Sequence, residues 1–304
     1  MPGSQDFEHD PANESVLIYL NGDLVPRNEA KVSVFDAGFV VGDGIWEGLR
    51  LHKGALLFLE AHMDRLYAGA AAIALDIGLT REALVSDIWR TLKANHFDDG
   101  VHIRLMVTRG VKTGANQDPR NALGCPTIVM LAERKSPSPS LATRGISLAT
   151  VSVRCSPAEM FDMRLNSHSR LNLITALLEA IRAGADEALM LDPNGFVSSC
   201  NATNFFFVKD NVVRTSSGTF CFNGVTRANV ISLCRDHGVA IELGDFAPEA
   251  ARLADEAFVT GTFGGITPVR EIDRRVLPGG LPGPVTACLR AAYETLKNAE
   301  AAKR

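Results

Sequence analysis

Residues 135–140 read Lys-Ser-Pro-Ser-Pro-Ser. Proline has no N–H to give to a helix or a β-ladder, and two prolines alternating with serine can continue neither. The chain is expected to break here, with a separate core on each side. Before the break, VLIYLNGDLVP reads as two short strands about Asn21-Gly22-Asp23. Leu59, Met63, Leu66, Ala70 and Ile73 share one helical stripe, and a second helix runs from about Arg81 to His96. Residues 101–110 and 126–133 are strands. After the break, GISLATVSV is a strand. A helix from about Arg170 to Ala183 carries Leu171, Ile174, Leu177, Leu178 and Ile181, with Ser169 as N-cap and Gly184 as C′ residue. EALMLD-PNG-FVSS and NFFFV-KDN-VVRT are hairpins, Thr226 to His237 is a helix, EAFVTGTFGGITPV is a strand entering a glycine loop, and a last helix covers about 284–301.

This pattern predicts two domains of α/β or α+β class. The expected layout is a disordered tail over 1–14, a small α/β domain over 15–134, a linker at 135–140 and a large domain over 141–304. A cleft between domains is the default ligand site. The 304 residues carry a net charge of −4, which gives no basic field for nucleic acid or membrane. The acidic N-terminus lacks an apolar run, so no signal peptide is expected. Six scattered cysteines without CxxC spacing suggest reduced thiols in a cytoplasmic protein with no metal site.

Three features could hold an anion. GVTR (224–227) opens a helix, whose first N–H groups and dipole suit a phosphate. TGTFGG (260–265) is a glycine turn with two hydroxyls. Arg65 lies in HMDRLYAGAAA among small residues. Taken singly, each has an ordinary structural reading as a helix start, a loop and a solvated cation.

In sequence order they mean more. From about Leu17 to Leu296 the chain resembles the class IV, or fold-type IV, pyridoxal-phosphate enzymes. These include the branched-chain and D-amino-acid aminotransferases and aminodeoxychorismate lyase. The matching motifs are YLNGDLVP, VSVFDAGFVVGDGIWEGLR, HMDRL, IRLMVTRG, RLN(x)₇EAIRAGADEALMLDPNGFV, TNFFFV, GVTRANVI and FVTGTFGGITPV. The resemblance implies a two-domain fold-type IV fold, with a small α/β N-terminal domain and a larger β-barrel-like C-terminal one. It implies a homodimer that binds pyridoxal or pyridoxamine phosphate and acts on a small amino or keto acid. By the same resemblance Arg65, Gly224, Val225, Thr226 and Thr262 hold the cofactor phosphate. Arg104 or Arg109 takes a substrate carboxylate, and Phe39 and Trp46 wall the substrate side.

Two positions depart from the family pattern. Counting back from Gly184 and Glu187 without a gap, the family's catalytic lysine falls on Asn166, and the chain has no lysine between Lys135 and Lys209. The glutamate that pairs with the pyridine nitrogen is Ser199, followed by Cys200. An amide neither forms an imine nor carries a proton near neutrality. His168, two residues away, is the expected replacement base, and Cys200 is a lesser nucleophile candidate. The resulting expectation is an aminotransferase-like enzyme without the usual lysine, its cofactor held noncovalently. Two alternatives stay open: a cofactor-independent isomerase or lyase that reuses the phosphate cup, and a non-catalytic pseudoenzyme.

Overall fold

The computed structural model describes residues 3–303, arranged as two compact units. Met1, Pro2 and Arg304 lie outside the described residues.

The smaller unit gathers His9–Ser136, Leu165–Arg170 and the chain from Glu300. Its sheet has six strands: β1 (Leu17–Leu20), β2 (Asp23–Pro26), β3 (Gly44–His52), β4 (Ala55–Leu56), β5 (Val101–Thr108) and β6 (Thr127–Arg134). Their order is β2-β1-β6-β5-β3-β4, and all are antiparallel. Asn21 and Gly22 both take positive φ, as the tight β1–β2 turn requires. Alternation along β3 sends Ile45, Leu49 and Leu51 to one face, where they pack with Met63 and Leu66 of helix Leu59–Ala72 and with Leu84, Ile88 and Leu92 of helix Arg81–Ala94. Each such side chain contributes about 1.5–3 kcal/mol on burial. The opposite parity carries Trp46, Gly48 and Arg50 on β3, with His102, Arg104 and Met106 opposite them on β5.

The larger unit holds Pro137–Arg164, Leu171–Ala299 and the chain up to Glu8. Its nine strands are β7 (Ile146–Arg154), β8 (Glu187–Leu191), β9 (Val197–Cys200), β10 (Asn204–Lys209), β11 (Val212–Ser216), β12 (Ile241–Gly244), β13 (Glu256–Gly261), β14 (Gly265–Ile272) and β15 (Arg275–Val276). The order is β12-β11-β10-β13-β14-β7-β8-β9, with β15 on β14. The sheet mixes parallel and antiparallel pairs and curls so that β9 returns beside β10. Phe205, Phe207, Leu189, Val259 and Ile272 form one core; Ala176 and Ala180 of helix Leu171–Arg182 pack against Ala149, Val151 and Met190 in another.

Four sequence expectations change. The tail is not disordered over 3–14: Ser4 is buried and its N–H donates to the Glu187 carboxylate at 2.7 Å, and Phe7 packs edge-on against Phe263. Asn13 bonds Arg134 twice, its side-chain amide donating to the Arg134 carbonyl and its side-chain oxygen accepting from the Arg134 N–H. The region after the break is not one piece either. The chain passes between units at Ser136/Pro137, but Leu165–Arg170 returns to the smaller unit, bonded along β3. Ser169 does not cap the following helix, because its hydroxyl donates to the Gly42 carbonyl at 3.1 Å. The apolar stripe of that helix faces outward: Leu171, Ile174, Leu178 and Ile181 are exposed, while the small residues Ala176 and Ala180 approach the sheet. Small side chains permit a close helix–sheet approach that leucines would prevent.

On β5, His102 is half-buried, with its Nδ1 shielded from solvent. Burial, together with the neighbouring charges of Lys135, Arg50 and Arg104, pushes its pKa down to about 3. Its folded pKa thus lies below the unfolded value, so the unfolded chain takes up the proton first on acidification. The stability this neutral imidazole contributes is complete above pH ~6.5 and is lost as pH falls toward 3. Denaturant unfolding should show that loss as pH falls from ~6.5 toward ~4, and His102→Gln should flatten the slope. An unchanged slope in the variant would assign the loss to other groups.

Candidate active site

In the smaller unit the site is built on β3. Glu47 is a carboxylate at a core-facing position, fully buried among leucines and isoleucines. Its oxygens receive Arg65 Nε and Nη2, both at 2.7 Å, and lie 2.8 Å from His62 Nδ1. Arg65 and His62 are three apart on helix Leu59–Ala72, so both reach the same carboxylate. Burial alone would raise the Glu47 pKa; the hydrogen bonds from Arg65 and His62 outweigh it and hold the carboxyl below its ordinary value. The bidentate pair fixes the plane of the Arg65 guanidinium.

Segment Leu165–Arg170 pairs with the start of β3. The Trp46 N–H donates to the Asn166 carbonyl at 2.9 Å, the His168 N–H donates to the Gly44 carbonyl at 2.9 Å, and Trp46 Nε1 donates to the Ser167 carbonyl at 3.1 Å. Arg170 donates to the Asn166 side-chain oxygen, and its Nε donates to the Ser167 carbonyl at 2.8 Å. Arg104 stacks on Trp46 with its guanidinium carbon 3.3 Å from the ring centroid, and Arg170 lies over the same ring at 5.6 Å. Burial lowers the pKa of Arg104 and of Arg170 to about 10, and Arg104 adds to the effect on Arg170.

The choice between Arg104 and Arg109 is decided by partners. Arg109 is bound to the Asp43 carboxylate at 2.6 and 3.1 Å and to the carbonyls of Ile73 and Ala74, so it is a structural staple. Arg104 has Trp46 beneath it, and no side-chain hydrogen bond or ion pair engages its guanidinium among the described residues. His168 is half-buried. Burial first, then Arg104, lowers its pKa, so it is neutral at neutral pH. Its ring bonds the Ile45 backbone, and its Nε2 is buried without a hydrogen-bond partner. Phe39 stands 72% exposed on the short helix Ala37–Val41.

In the larger unit the helix Val225–Asp236 starts one residue earlier than expected, with Gly224 and not Thr226 at the N-cap. No side chain caps it. The Gly224 N–H donates to Asn204 Oδ1 at 3.2 Å, and a Cβ on Gly224 would lie 2.5 Å from that oxygen, so only glycine fits. The N–H groups of Val225, Thr226 and Arg227 have no acceptor among the described residues, which suits an anion. The Thr226 hydroxyl is buried 3.5 Å from Tyr293 OH, and the Tyr293 ring is the nearest neighbour of Gly265. Tyr293 thereby links this helix start to the turn carrying Thr262, between β13 and β14. Ser199 donates to the Thr203 carbonyl at 2.8 Å and receives Asn204 Nδ2 at 3.4 Å, so its proton is already committed. Cys200 is buried, and burial raises its thiol pKa well above the usual value, which removes it as a nucleophile at neutral pH.

Sequence reasoning missed Glu47, His62, Arg170, Asn204 and Tyr293. Glu47 left a readable signal: a charge on the apolar parity of a strand demands a buried partner. Asn204 left a weaker one, as the polar residue opening an aromatic run. Replacing Glu47 with alanine strands the Arg65 charge and should cost on the order of 3 kcal/mol. Denaturant titration checks it; a loss below about 1 kcal/mol would mean that the pair is solvated after all.

The family model for amino-transferase class IV matches residues 44–272. The branched-chain-amino-acid aminotransferase-like protein 2 of Arabidopsis thaliana is 41% identical over 94% of this chain and 51% of its own length, so the chain spans about half of that relative. The branched-chain-amino-acid aminotransferase of Pseudomonas aeruginosa is 32% identical over 93% of each chain. Among solved structures, the T.th. branched-chain amino acid aminotransferase complexed with N-(5′-phosphopyridoxyl)-L-glutamate superposes with a TM-score of 0.86 at 29% identity, covering 95% of both chains. With three quarters of its length under one family model, and a fold shared almost end to end with that structure, the chain belongs to the class IV aminotransferase family.

Proposed function

We propose that this chain is an enzyme of aminotransferase type that binds pyridoxal or pyridoxamine phosphate noncovalently and acts on a small amino or keto acid. The carrying observation is that the anion-holding groups are intact while the amine is gone. In the smaller unit Arg65 is aimed by Glu47, which suits it to an anion; in the larger unit the first N–H groups of helix Val225–Asp236 are open, which by itself suits a phosphate. Position 166 holds an amide that cannot attack a carbonyl. When bound, such a cofactor supplies an electron sink for the substrate's Cα. Ser199, with its proton committed to Thr203, would offer a pyridine nitrogen no acidic partner, and the sink would then be shallower. Arg104, held flat on Trp46, supports recognition of a substrate carboxylate. His168 is the base in this reading. It is neutral, as a proton acceptor must be, and its Nε2 has no hydrogen-bond partner among the described residues. The exposed stripe Leu171, Ile174, Leu178 and Ile181 supports a homodimer.

Titration with pyridoxal phosphate and pyridoxamine phosphate, read by absorbance and native mass, should give reversible binding. Borohydride should fix no cofactor to residue 166. An adduct on Lys135, whose ammonium pKa is lowered by burial, would move the chemistry there. Failure of both compounds to bind would favour a cofactor-independent isomerase or lyase. Arg65→Ala should weaken binding tenfold or more, since a charge-assisted hydrogen bond contributes about 1.5–3 kcal/mol. His168→Ala should abolish turnover and leave binding intact. Because its pKa lies below ~6.5, the wild-type rate should not fall by protonation of this residue until the medium is more acidic than that. Unchanged turnover in the variant would remove His168 from the chemistry.

A further inference from the structure

The side chain of Asn166 is held in one orientation, and that orientation is readable. Arginine offers only donors, so the Asn166 atom that Arg170 touches must be the amide oxygen. The NH₂ group therefore points the other way. Its main chain cannot swing to relieve this, since the Asn166 carbonyl is bound by the Trp46 N–H and the bridge Ile45–Ser167 follows immediately. Arg170 is itself locked to the Ser167 carbonyl at 2.8 Å and the Leu165 carbonyl at 3.3 Å. Asn166 is only 6% exposed, yet its Nδ2 has no acceptor among the described residues and is not sealed off as a buried orphan. A nearly buried amide thus presents two N–H donors to whatever occupies the adjacent space.

The local charge points the same way. The charges of Arg104 and Arg65 both act on Arg170 here, and Glu47 opposes them, already engaged by Arg65 and His62. A second ammonium would meet net positive charge at this point. An oxygen, neutral or anionic, would meet both the charge and the donors it needs.

We propose that Asn166, oriented by Arg170, is a receptor for a carbonyl oxygen. On the cofactor reading above, on which this rests, it holds the unreacted 4′-aldehyde of pyridoxal phosphate and selects against the amine of pyridoxamine phosphate. The position that bonds the cofactor covalently in the family pattern becomes here one that recognises its free aldehyde form.

The test is equilibrium binding of three phosphates to the full chain: pyridoxal phosphate, 4-deoxypyridoxine phosphate, which has no polar group at that carbon, and pyridoxamine phosphate. Each is titrated into wild type, Asn166→Ala and Asn166→Asp. Wild type should bind the aldehyde roughly tenfold more tightly than the deoxy compound, the value of one hydrogen bond from a buried donor, and the amine most weakly. Asn166→Ala should erase the difference between aldehyde and deoxy compound. Asn166→Asp, nearly the same shape with an acceptor in place of the donor, should reverse the order in favour of the amine. Surface lysines that react with the aldehyde are common to all three proteins and cancel when the aldehyde's affinity is compared between proteins, so the change in its preference on substitution is the quantity read. Binding of all three compounds without preference, or an order unmoved by either substitution, overturns this inference and leaves the cofactor reading standing. Binding of none overturns both.

Discussion

A short backbone pairing sets the geometry of the smaller unit. Segment Leu165–Arg170 hydrogen-bonds to the first residues of β3, with Trp46 N–H on the Asn166 carbonyl and His168 N–H on the Gly44 carbonyl. Backbone groups buried in this way must be paired, and these two bonds and the bridge Ile45–Ser167 satisfy them. The pairing brings the chain carrying Asn166, His168 and Arg170 alongside the strand that carries Trp46 and Glu47. Everything proposed about chemistry at position 166 depends on that register, because a slip of one residue would exchange the faces on which these side chains stand.

On top of this pairing the unit gathers cations. Arg65 is compensated by Glu47 at hydrogen-bond distance, which makes its guanidinium rigid instead of mobile. Arg104 rests on the indole face of Trp46, and Arg170 lies over the same ring. A buried guanidinium in that setting has a lowered pKa and is stabilised by any acceptor that approaches it. The larger unit has a device of its own. Asn204 pins the Gly224 N–H, which keeps the turn tight and leaves the next three N–H groups open. In each unit a polar side chain fixes the orientation of its neighbour: Glu47 that of Arg65, and Asn204 that of the Gly224 turn.

Most elements were legible because each rests on local pattern. The turn at Asn21-Gly22, the alternation along β5 and β6, and the glycine-terminated helices follow from φ preference and hydrophobic period. The strongest amphipathic helix misled for a physical reason. Its leucine and isoleucine stripe marks an apolar face but cannot say what covers it, and in this chain Ala176 and Ala180 take the core side. The tail misled too: its polar composition hid Ser4 and Asn13, each ordered by hydrogen bonds to residues more than a hundred positions away.

The amino-acid sequence by itself determined the family, the two-part architecture, an asparagine at position 166 in a stretch without lysine and a glycine-led helix start at 224–227. Those are properties of residue identity and short-range order. Only the tertiary structure decided which arginine is available and which is a staple, since Arg104 and Arg109 differ not in chemistry but in the carboxylate and carbonyls that surround Arg109. It also decided which way the Asn166 amide faces. That orientation is imposed by the donors of Arg170 and by the pairing with β3, a contact between distant parts of the chain that no local pattern encodes.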